Sequence, residues 1–485
     1  MVNRERVQLA VPPGEITLDI LRRKLRLTGV KEGCREGDCG ACTVMLGSLR
    51  NGTVDYQAVN SCLLPAAAIA GKHLVTIEGI NQDGLNPIQE AFLTEGAVQC
   101  GFCTPGILMA LTAHILSAPE PGPASAVNAV AGNICRCTGY IAIRRAIERL
   151  FNTLPHISAE HRVRDLVALG ILPKYFLEIP GELGRIAAPA RPQRPAAGTN
   201  PVYVAGGTDI FVQPPPDMDN REIIFLEPPG EADRIRIRDG CLELAGGLTV
   251  EELRQSPQVR KHWPGLPEML AGVSSVQIRN RATIAGNIAN ASPIGDITII
   301  LLALGADVEV GEPGKPRRVP LKEFFLGYKQ LAKRESELLS RVFVSLPAAG
   351  VRFNFEKVCR RQHLDIASVN TAMQLFVRNG RIDKVDLAAG GVAPIPMYLE
   401  QTALFLQGKP LKAGVLTAAL TVLDKEISPI SDMRGSAAYK RRLLRNLVLG
   451  HFITLFPALL NSKGFIANPG AGEKTSQRNF RGSAK

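Results

Sequence analysis

Aromatic side chains are scarce in this sequence, at 5% with a single Trp. Sites that stack nucleic-acid bases interleave aromatic with basic residues. No such pattern accompanies the net charge of +12, so no nucleic-acid partner is expected. The densest basic run, Lys440, Arg441, Arg442 and Arg445, suits a solvated helix face or a contact with another subunit. Long apolar runs are also missing. The longest, Ile297 to Ala306, is far too short to span a bilayer, and no membrane association is expected. Met1 to Ala10 has neither the apolar core nor the cleavage site of a secretory leader, which gives the expectation of a cytoplasmic protein. The seven histidines are scattered, and none sits at metal-ligand spacing from a Cys or a carboxylate. No Ser/His/Asp or Cys/His arrangement points to hydrolysis.

Cysteine, glycine and proline are plentiful instead. Forty-six Gly and 34 Pro in 485 residues suit a globular chain rich in turns and backbone-mediated ligand contacts. Ten Cys in a reducing compartment are better read as metal ligands than as disulfides. Eight of them precede residue 140. The chain reads as an α+β multidomain protein. Residues 1–80 form a small α+β unit, with Val7 to Leu9 a strand, Thr17 to Leu27 a helix and Thr43 to Leu46 a strand. Residues 81–152 are helical, with Pro87 and Pro105 opening two helices and Ile141 to Phe151 a third. Residues 153–200 are a linker ending in a Pro/Ala/Arg stretch. Residues 201–349 alternate short strands, Gly-rich turns and helices. Residues 350–465 are a last α+β segment, and 466–485 a polar tail expected to be disordered.

Cys34, Cys39, Cys42 and Cys62 have the spacing C-x4-C-x2-C-x19-C, the plant-type [2Fe–2S] arrangement. An anionic cluster needs many N–H donors and small side chains around it, which Gly33, Gly37, Gly40 and Ala41 supply. Zinc, the competing ligand, usually takes two C-x2-C pairs. Cys100 and Cys103 form a C-x2-C, and Cys135 and Cys137 a C-x-C. A Thr and a helix start follow each pair, and the positive end of a helix suits an anion. From spacing alone, zinc and an iron–sulfur cluster both remain open here. Cys241 and Cys359 read as ordinary, partly buried thiols.

The segments Glu32-Gly33-Cys34-Arg35-Glu36-Gly37-Asp38-Cys39-Gly40-Ala41-Cys42-Thr43 and Gly132-Asn133-Ile134-Cys135-Arg136-Cys137-Thr138-Gly139-Tyr140 closely resemble the two-cluster module of the molybdenum hydroxylase (xanthine oxidase) family. The resemblance implies a β-grasp ferredoxin-like domain, a four-helix [2Fe–2S] domain, and a cluster rather than zinc at Cys100, Cys103, Cys135 and Cys137. It also implies that Gln99 reaches toward a molybdopterin on a neighbouring domain; an exposed helix-end amide is the alternative.

Two further glycine-rich runs lie downstream. One is Tyr203, Val204, Ala205, Gly206, Gly207, Thr208, Asp209 and Ile210; the other starts at Thr283 and runs through Gly286 and Asn287 to Asp296. Neither is G-x-G-x-x-G, so a Rossmann site is not supported. Each could be a backbone nest for a pyrophosphate or simply a tight turn. Both resemble the α+β FAD-binding domain of the same family, which implies that the first run, together with Thr283, Gly286, Asn287, Asp296, Leu339 and Lys357, contacts FAD. The segment Pro429 to Ser436 resembles the family's C-terminal α+β flavoprotein subdomain. One departure is Val273, where many relatives carry an aromatic residue against the flavin ring.

The resemblance runs from about residue 5 to 455, without a molybdopterin domain. It implies a molybdopterin-binding large subunit as partner, in a dimer of heterodimers, and no catalytic residue on this chain. The bacterial xanthine dehydrogenase small subunits have this layout. The implied role is to carry electrons from hypoxanthine or xanthine oxidation through two [2Fe–2S] clusters to FAD and on to NAD+. The alternatives are the equivalent subunit of an aldehyde, nicotinate or related N-heterocycle hydroxylase, a stand-alone flavin–iron–sulfur reductase, or a zinc-stapled interaction protein.

Overall fold

The computed structural model describes residues 1–186, 200–215, 217–226, 230–312, 314–361 and 363–457. The N-terminal sheet is built on the hairpin Thr43–Arg50 and Thr53–Asn60. Its two-residue loop, Asn51-Gly52, has positive φ at both positions (48° and 81°), as the turn that matches strand twist requires. His73–Val75 pairs with the other edge of Thr43–Arg50, so the strand order is central first strand between the other two. The helix expected from residue 17 runs over Thr17–Lys24 and widens into a π turn from Ile20. Leu18 and Leu21 lie fully buried on Val44, Leu46 and Leu74.

Val7 to Leu9 is not a strand. Leu9 is exposed, and Pro12 and Pro13 follow without the N–H donors a ladder needs. Val2 instead bridges Leu74.

The sheet is buried on both faces. Val44 and Leu46 point into the core just described. Met45, Tyr56, Ala58 and Val75 point the other way, into a core shared with Ile107, Leu111, Ala146 and Ile147. Those last four belong to two of the four helices of the next unit: Pro87–Thr94, Thr104–Ser117, Pro123–Ala129 and Ile141–Thr153. Asn86 caps the first with a reciprocal bond from Gln89.

The expected linker at 153–200 is largely structured where it is described. Helix Arg162–Ala168 and the 3₁₀ turn Lys174–Leu177 place Leu166 and Phe176 in the same shared core, and helix Ile179–Gly184 follows. Apolar residues recur at helical spacing from Val163 to Leu183, and burying them outweighs a loop. The Pro/Ala/Arg stretch and the tail at 466–485 lie outside the described residues.

Downstream, Val202–Val204 pairs in parallel with Ile223–Phe225. A five-stranded antiparallel sheet follows in the order Ile235–Arg238, Cys241–Ala245, Leu338–Ser345, Asp307–Glu312, Lys315–Pro320. A four-stranded antiparallel sheet, Arg352–Val358, Val369–Arg378, Arg381–Gly390 and Met397–Tyr398, comes last. Helices Glu400–Leu406, Ala413–Glu426 and Ala437–Leu455 contribute to its core. The longest apolar run is the helix Asp296–Ala303, buried at every position. A helix apolar all round is a core element, and among the described residues no helix is long and apolar enough to cross a membrane.

Two histidines sit in these cores with no solvent exposure. His73 bonds the Tyr56 hydroxyl (2.7 Å) and the Asn3 carbonyl (2.9 Å), and burial pushes it down to about 4. His451 accepts from Asn354 Nδ2 at 2.9 Å, and burial pushes it down to about 3. Both folded values lie below the ordinary 6.5, so the unfolded chain binds more protons in this range. Their stabilisation is complete above pH ~6.5 and falls by roughly 1.4 kcal/mol per pH unit per histidine below it. The urea midpoint should drop steadily from about pH 6.5 to 4.5; a flat profile contradicts this.

Candidate cofactor sites

The loop after Val30 reverses tightly through Arg35, Gly37 and Gly40, with φ of 59°, 79° and 67°. These turns aim main-chain N–H groups inward. Glu36 N and Cys39 N both donate to Cys34 Sγ at 3.3 Å. Cys34 and Cys39 interact through their sulfurs. The Cys39 thiol, more than any other group, holds Cys34 down to about 5, and Cys39 is pushed up in return. Cys42 and Cys62, both buried, form a second such pair, with Cys42 driven down by Cys62 and Cys62 driven up.

The second set comes together from two helix starts. Cys103 caps Thr104–Ser117. Tyr140, at φ 68°, caps Ile141–Thr153, and its hydroxyl accepts from Cys135 N at 3.0 Å. Cys100 and Cys137 Sγ are 3.6 Å apart. Burial, and then Cys135, push Cys103 up to about 12. Against its own burial, Cys135 is held down by the Thr138 hydroxyl at 3.2 Å and by neighbouring N–H groups. All eight cysteines singled out in the sequence therefore fall into two sets of two pairs. Among the described residues no three His, Cys, Asp or Glu side chains close around one point as a single ion would require. A [2Fe–2S] cluster has two irons, each taking two ligands, so two thiol pairs with N–H donors to sulfur fit its donor set.

The two sets differ in exposure. Cys100 and Cys137 reach the surface, and Val98, Phe102, Tyr140 and Ile141 beside them in sequence are exposed too. Gln99 is exposed at the same place. The first set faces inward, and the segments carrying the sets touch. Ile134 N donates to Cys39 O at 2.9 Å, and Asn133 Nδ2 donates to Gly40 O at 2.8 Å. Asn133 Oδ1 accepts from Gln277 Nε2 at 2.9 Å, and Asn280 Nδ2 donates to Ala58 O at 2.9 Å. Sequence reasoning missed Gln277 and Asn280; their partners are more than 140 positions away, and no local pattern marks them.

The candidate flavin residues converge around the helix Ile284–Asn290. Thr283 Oγ1 accepts from Gly286 N at 3.1 Å. Asn287 Oδ1 accepts from Thr298 N and Oγ1 at 3.2 and 3.0 Å. Asp296 is held by Lys357 Nζ at 2.7 Å and Asn370 Nδ2 at 2.5 Å, so neither Asp296 nor Lys357 is free. Lys357 also donates to Gly272 O at 3.2 Å, beside the buried Val273. Leu339 is joined to this region through Gly246, where an added Cβ would lie 2.4 Å from Leu339 O and whose carbonyl accepts from Ala285 N at 2.9 Å. The run Tyr203 to Ile210 turns at Gly206 against Arg281.

Residues 1–67 match the family described as 2Fe-2S iron-sulfur cluster binding domain, and 76–148 the [2Fe-2S] binding domain. Residues 193–348 match the FAD binding domain in molybdopterin dehydrogenase, and 354–454 the CO dehydrogenase flavoprotein C-terminal domain. Xanthine dehydrogenase 1 of Arabidopsis thaliana is 29% identical over 93% of this chain and 39% of its own length. Aldehyde oxidase 1 of Oryctolagus cuniculus is 27% identical over 93% of this chain and 39% of its own. The chain thus spans about two fifths of the length of these relatives. A structure of reconstituted CO dehydrogenase from Oligotropha carboxidovorans superposes with TM-score 0.49 at 25% identity, covering 54% of this chain and 91% of that one. The fold is α+β and multidomain: two [2Fe–2S]-type domains, an FAD-binding domain and a flavoprotein C-terminal domain, as found in oxidoreductases.

Gly40 carries the contact between the two cysteine sets. A Cβ there would lie 2.3 Å from Gly132 O, in a left-handed backbone that L residues avoid. Gly40→Ala should cost more than about 2 kcal/mol and lower iron per chain. An unchanged urea midpoint with full iron content would show that the contact is not needed.

Proposed function

We propose that this chain is the iron–sulfur and flavin electron-transfer subunit of a molybdenum hydroxylase, and that its partner is a molybdopterin-binding large subunit acting on hypoxanthine or xanthine with NAD+ as final acceptor. The observation that carries this reading is that the segments holding the three candidate sites touch one another. One thiol set opens at the surface through Cys100 and Cys137. The second lies behind it, one hydrogen bond away. The flavin domain packs on the inner set's loop, where Ile278 lies against Gly37, and on the outer set's segment, where Gln277 donates to Asn133.

Each side chain has a role in this scheme. Cys34 with Cys39 and Cys42 with Cys62 hold the two irons of the inner cluster; Cys100 with Cys137 and Cys103 with Cys135 hold those of the outer one. The N–H groups of Glu36 and Cys39 lower the energy of anionic sulfur. Gln99 and the exposed Val98, Phe102 and Ile141 form the face that meets the large subunit. The run Tyr203 to Ile210, with Thr283, Gly286, Asn287 and Leu339, cradles FAD. The Asp296–Lys357 pair, only about a tenth exposed on each side, fixes the wall near Val273. When bound, the clusters carry single electrons, and the flavin collects two for delivery as a hydride. No group on this chain makes or breaks a substrate bond, and a dimer of such heterodimers in the cytoplasm is the assembly we infer.

A second reading is the equivalent subunit of another hydroxylase. Aldehyde oxidase 1 matches over the same share of this chain as xanthine dehydrogenase 1, and Val273 lacks the expected aromatic ring. The purified chain with its large subunit decides between them by which substrate, xanthine or an aldehyde, bleaches the flavin. Reduced protein should give two separable [2Fe–2S] EPR signals; a single signal sinks the two-cluster assignment. Cys137→Ser should remove one signal, retain flavin and abolish substrate-dependent NADH formation while sparing NADH-driven dye reduction. Equal loss of both activities would contradict the order of the sites.

A further inference from the structure

Four consecutive main-chain carbonyls, those of Ala271, Gly272, Val273 and Ser274, all accept from two cations. Arg279 Nη1 donates to Ala271 O at 3.0 Å, to Val273 O at 2.8 Å and to Ser274 O at 3.4 Å. Lys357 Nζ donates to Gly272 O at 3.2 Å. The turn follows the helix Leu266–Ala271, and Ser274 lies at φ 49°, a left-handed backbone that a Ser rarely adopts. The turn's own side chains are small, so its shape is imposed from outside.

Each cation is anchored by its own carboxylate. Arg279 Nε donates to Glu251 Oε2 at 2.7 Å. The other oxygen of Glu251 accepts from Arg254 Nε at 2.8 Å and from Gln255 Nε2 at 3.0 Å. Lys357 is held by Asp296. Arg279 is 4% exposed and Glu251 6%, so this pair is both buried and matched. A buried ion pair is seldom worth more to stability than an apolar pair of the same volume. What it supplies here is geometry. A planar guanidinium reaches a carboxylate and several carbonyls from fixed directions, which a single ammonium does not.

The turn borders the candidate flavin residues, since Lys357 bonds both Gly272 O and Asp296. Carbonyl oxygens carry partial negative charge. Reducing a flavin adds electrons to its ring, and unneutralised negative dipole ends nearby oppose that. With all four carbonyls engaged by Arg279 and Lys357, that opposition is removed on this side.

We propose that Arg279, anchored by Glu251, is a positioning residue for the flavin: it keeps the carbonyls of the Ala271–Ser274 turn committed to itself rather than to the cofactor, and so makes the flavin a better acceptor of electrons from the clusters. This rests on the flavoprotein reading above and deepens it, since neither Arg279 nor Glu251 is among the candidate flavin contacts.

The test uses the full chain with its clusters and flavin. It is titrated with a reductant while visible absorbance follows the flavin and EPR follows the two clusters. Arg279→Lys conserves the charge but not the fork. It should retain flavin and favour the oxidised form over the reduced one by roughly tenfold, a fall of about 30 mV in a two-electron potential. Both cluster potentials should stay at their wild-type values. Glu251→Asp draws the carboxylate back without changing its charge. It should move the flavin the same way by a smaller factor, and it carries the test if Arg279→Lys loses its clusters. A wild-type flavin potential in a folded variant overturns the proposal, because a purely structural role lowers stability alone. Equal shifts at the flavin and the clusters also overturn it. Wild-type protein that holds its clusters but no flavin would instead overturn the flavoprotein reading itself.

Discussion

A chain of buried amides ties the molecule together. Gln277 donates to Asn133, and Asn133 donates to Gly40 O. Each residue comes from a different unit: the flavin domain, the loop before Cys135, and the loop between Cys39 and Cys42. Asn133 is 3% exposed and Gln277 fully buried, so each amide left unmatched would cost about 1–3 kcal/mol. Gly132 is held so close to the Gln277 carbonyl oxygen that a Cβ would lie 2.2 Å from it. The fit tolerates neither a larger residue nor a shifted loop. The relative positions of the three candidate redox sites depend on it.

The shared core makes this contact rigid. Because the N-terminal sheet is apolar on both faces, it cannot separate from the helical unit without exposing Met45, Tyr56 and Val75. Phe176, from the stretch expected to be a linker, closes the same core against Tyr56 with ring centroids 5.6 Å apart. Burial of large apolar side chains at about 1.5–3 kcal/mol each holds the two cysteine sets together. Polar pairs such as Lys357–Asp296 and Arg279–Glu251 specify geometry in the flavin domain, where each charge meets its partner in one arrangement only.

Exposure then separates the roles of chemically similar groups. Of the eight thiols only Cys100 and Cys137 are exposed, while Cys103 and Cys135 of the same set are buried, as are Cys42 and Cys62. Arg279 and Arg281 share a segment and a chemistry, yet Arg279 is paired with Glu251 whereas the Arg281 guanidinium bonds the Gly206 carbonyl. Such contrasts between neighbours are more telling than the burial of either group alone, since the local backbone is common to both.

The cysteine spacings, the helix starts near Pro87, Pro105 and Ile141 and the apolar run from Ile297 were legible in the sequence, because each is set by contacts within a few residues. The same local patterns marked the glycine turns of the flavin segment, with the family resemblance supplying their meaning. Val7 to Leu9 misled because three residues carry too little pattern to outweigh a missing partner strand. The helices between 162 and 184 were hidden by the proline-rich composition that follows them. Which thiols pair, which pair reaches the surface, that Lys357 is committed to Asp296, and that Gln277, Asn133 and Gly40 form one chain were decided only by tertiary structure. Those facts depend on residues up to 144 positions apart, and distance along the chain carries no information about which buried polar groups must satisfy one another once water is excluded.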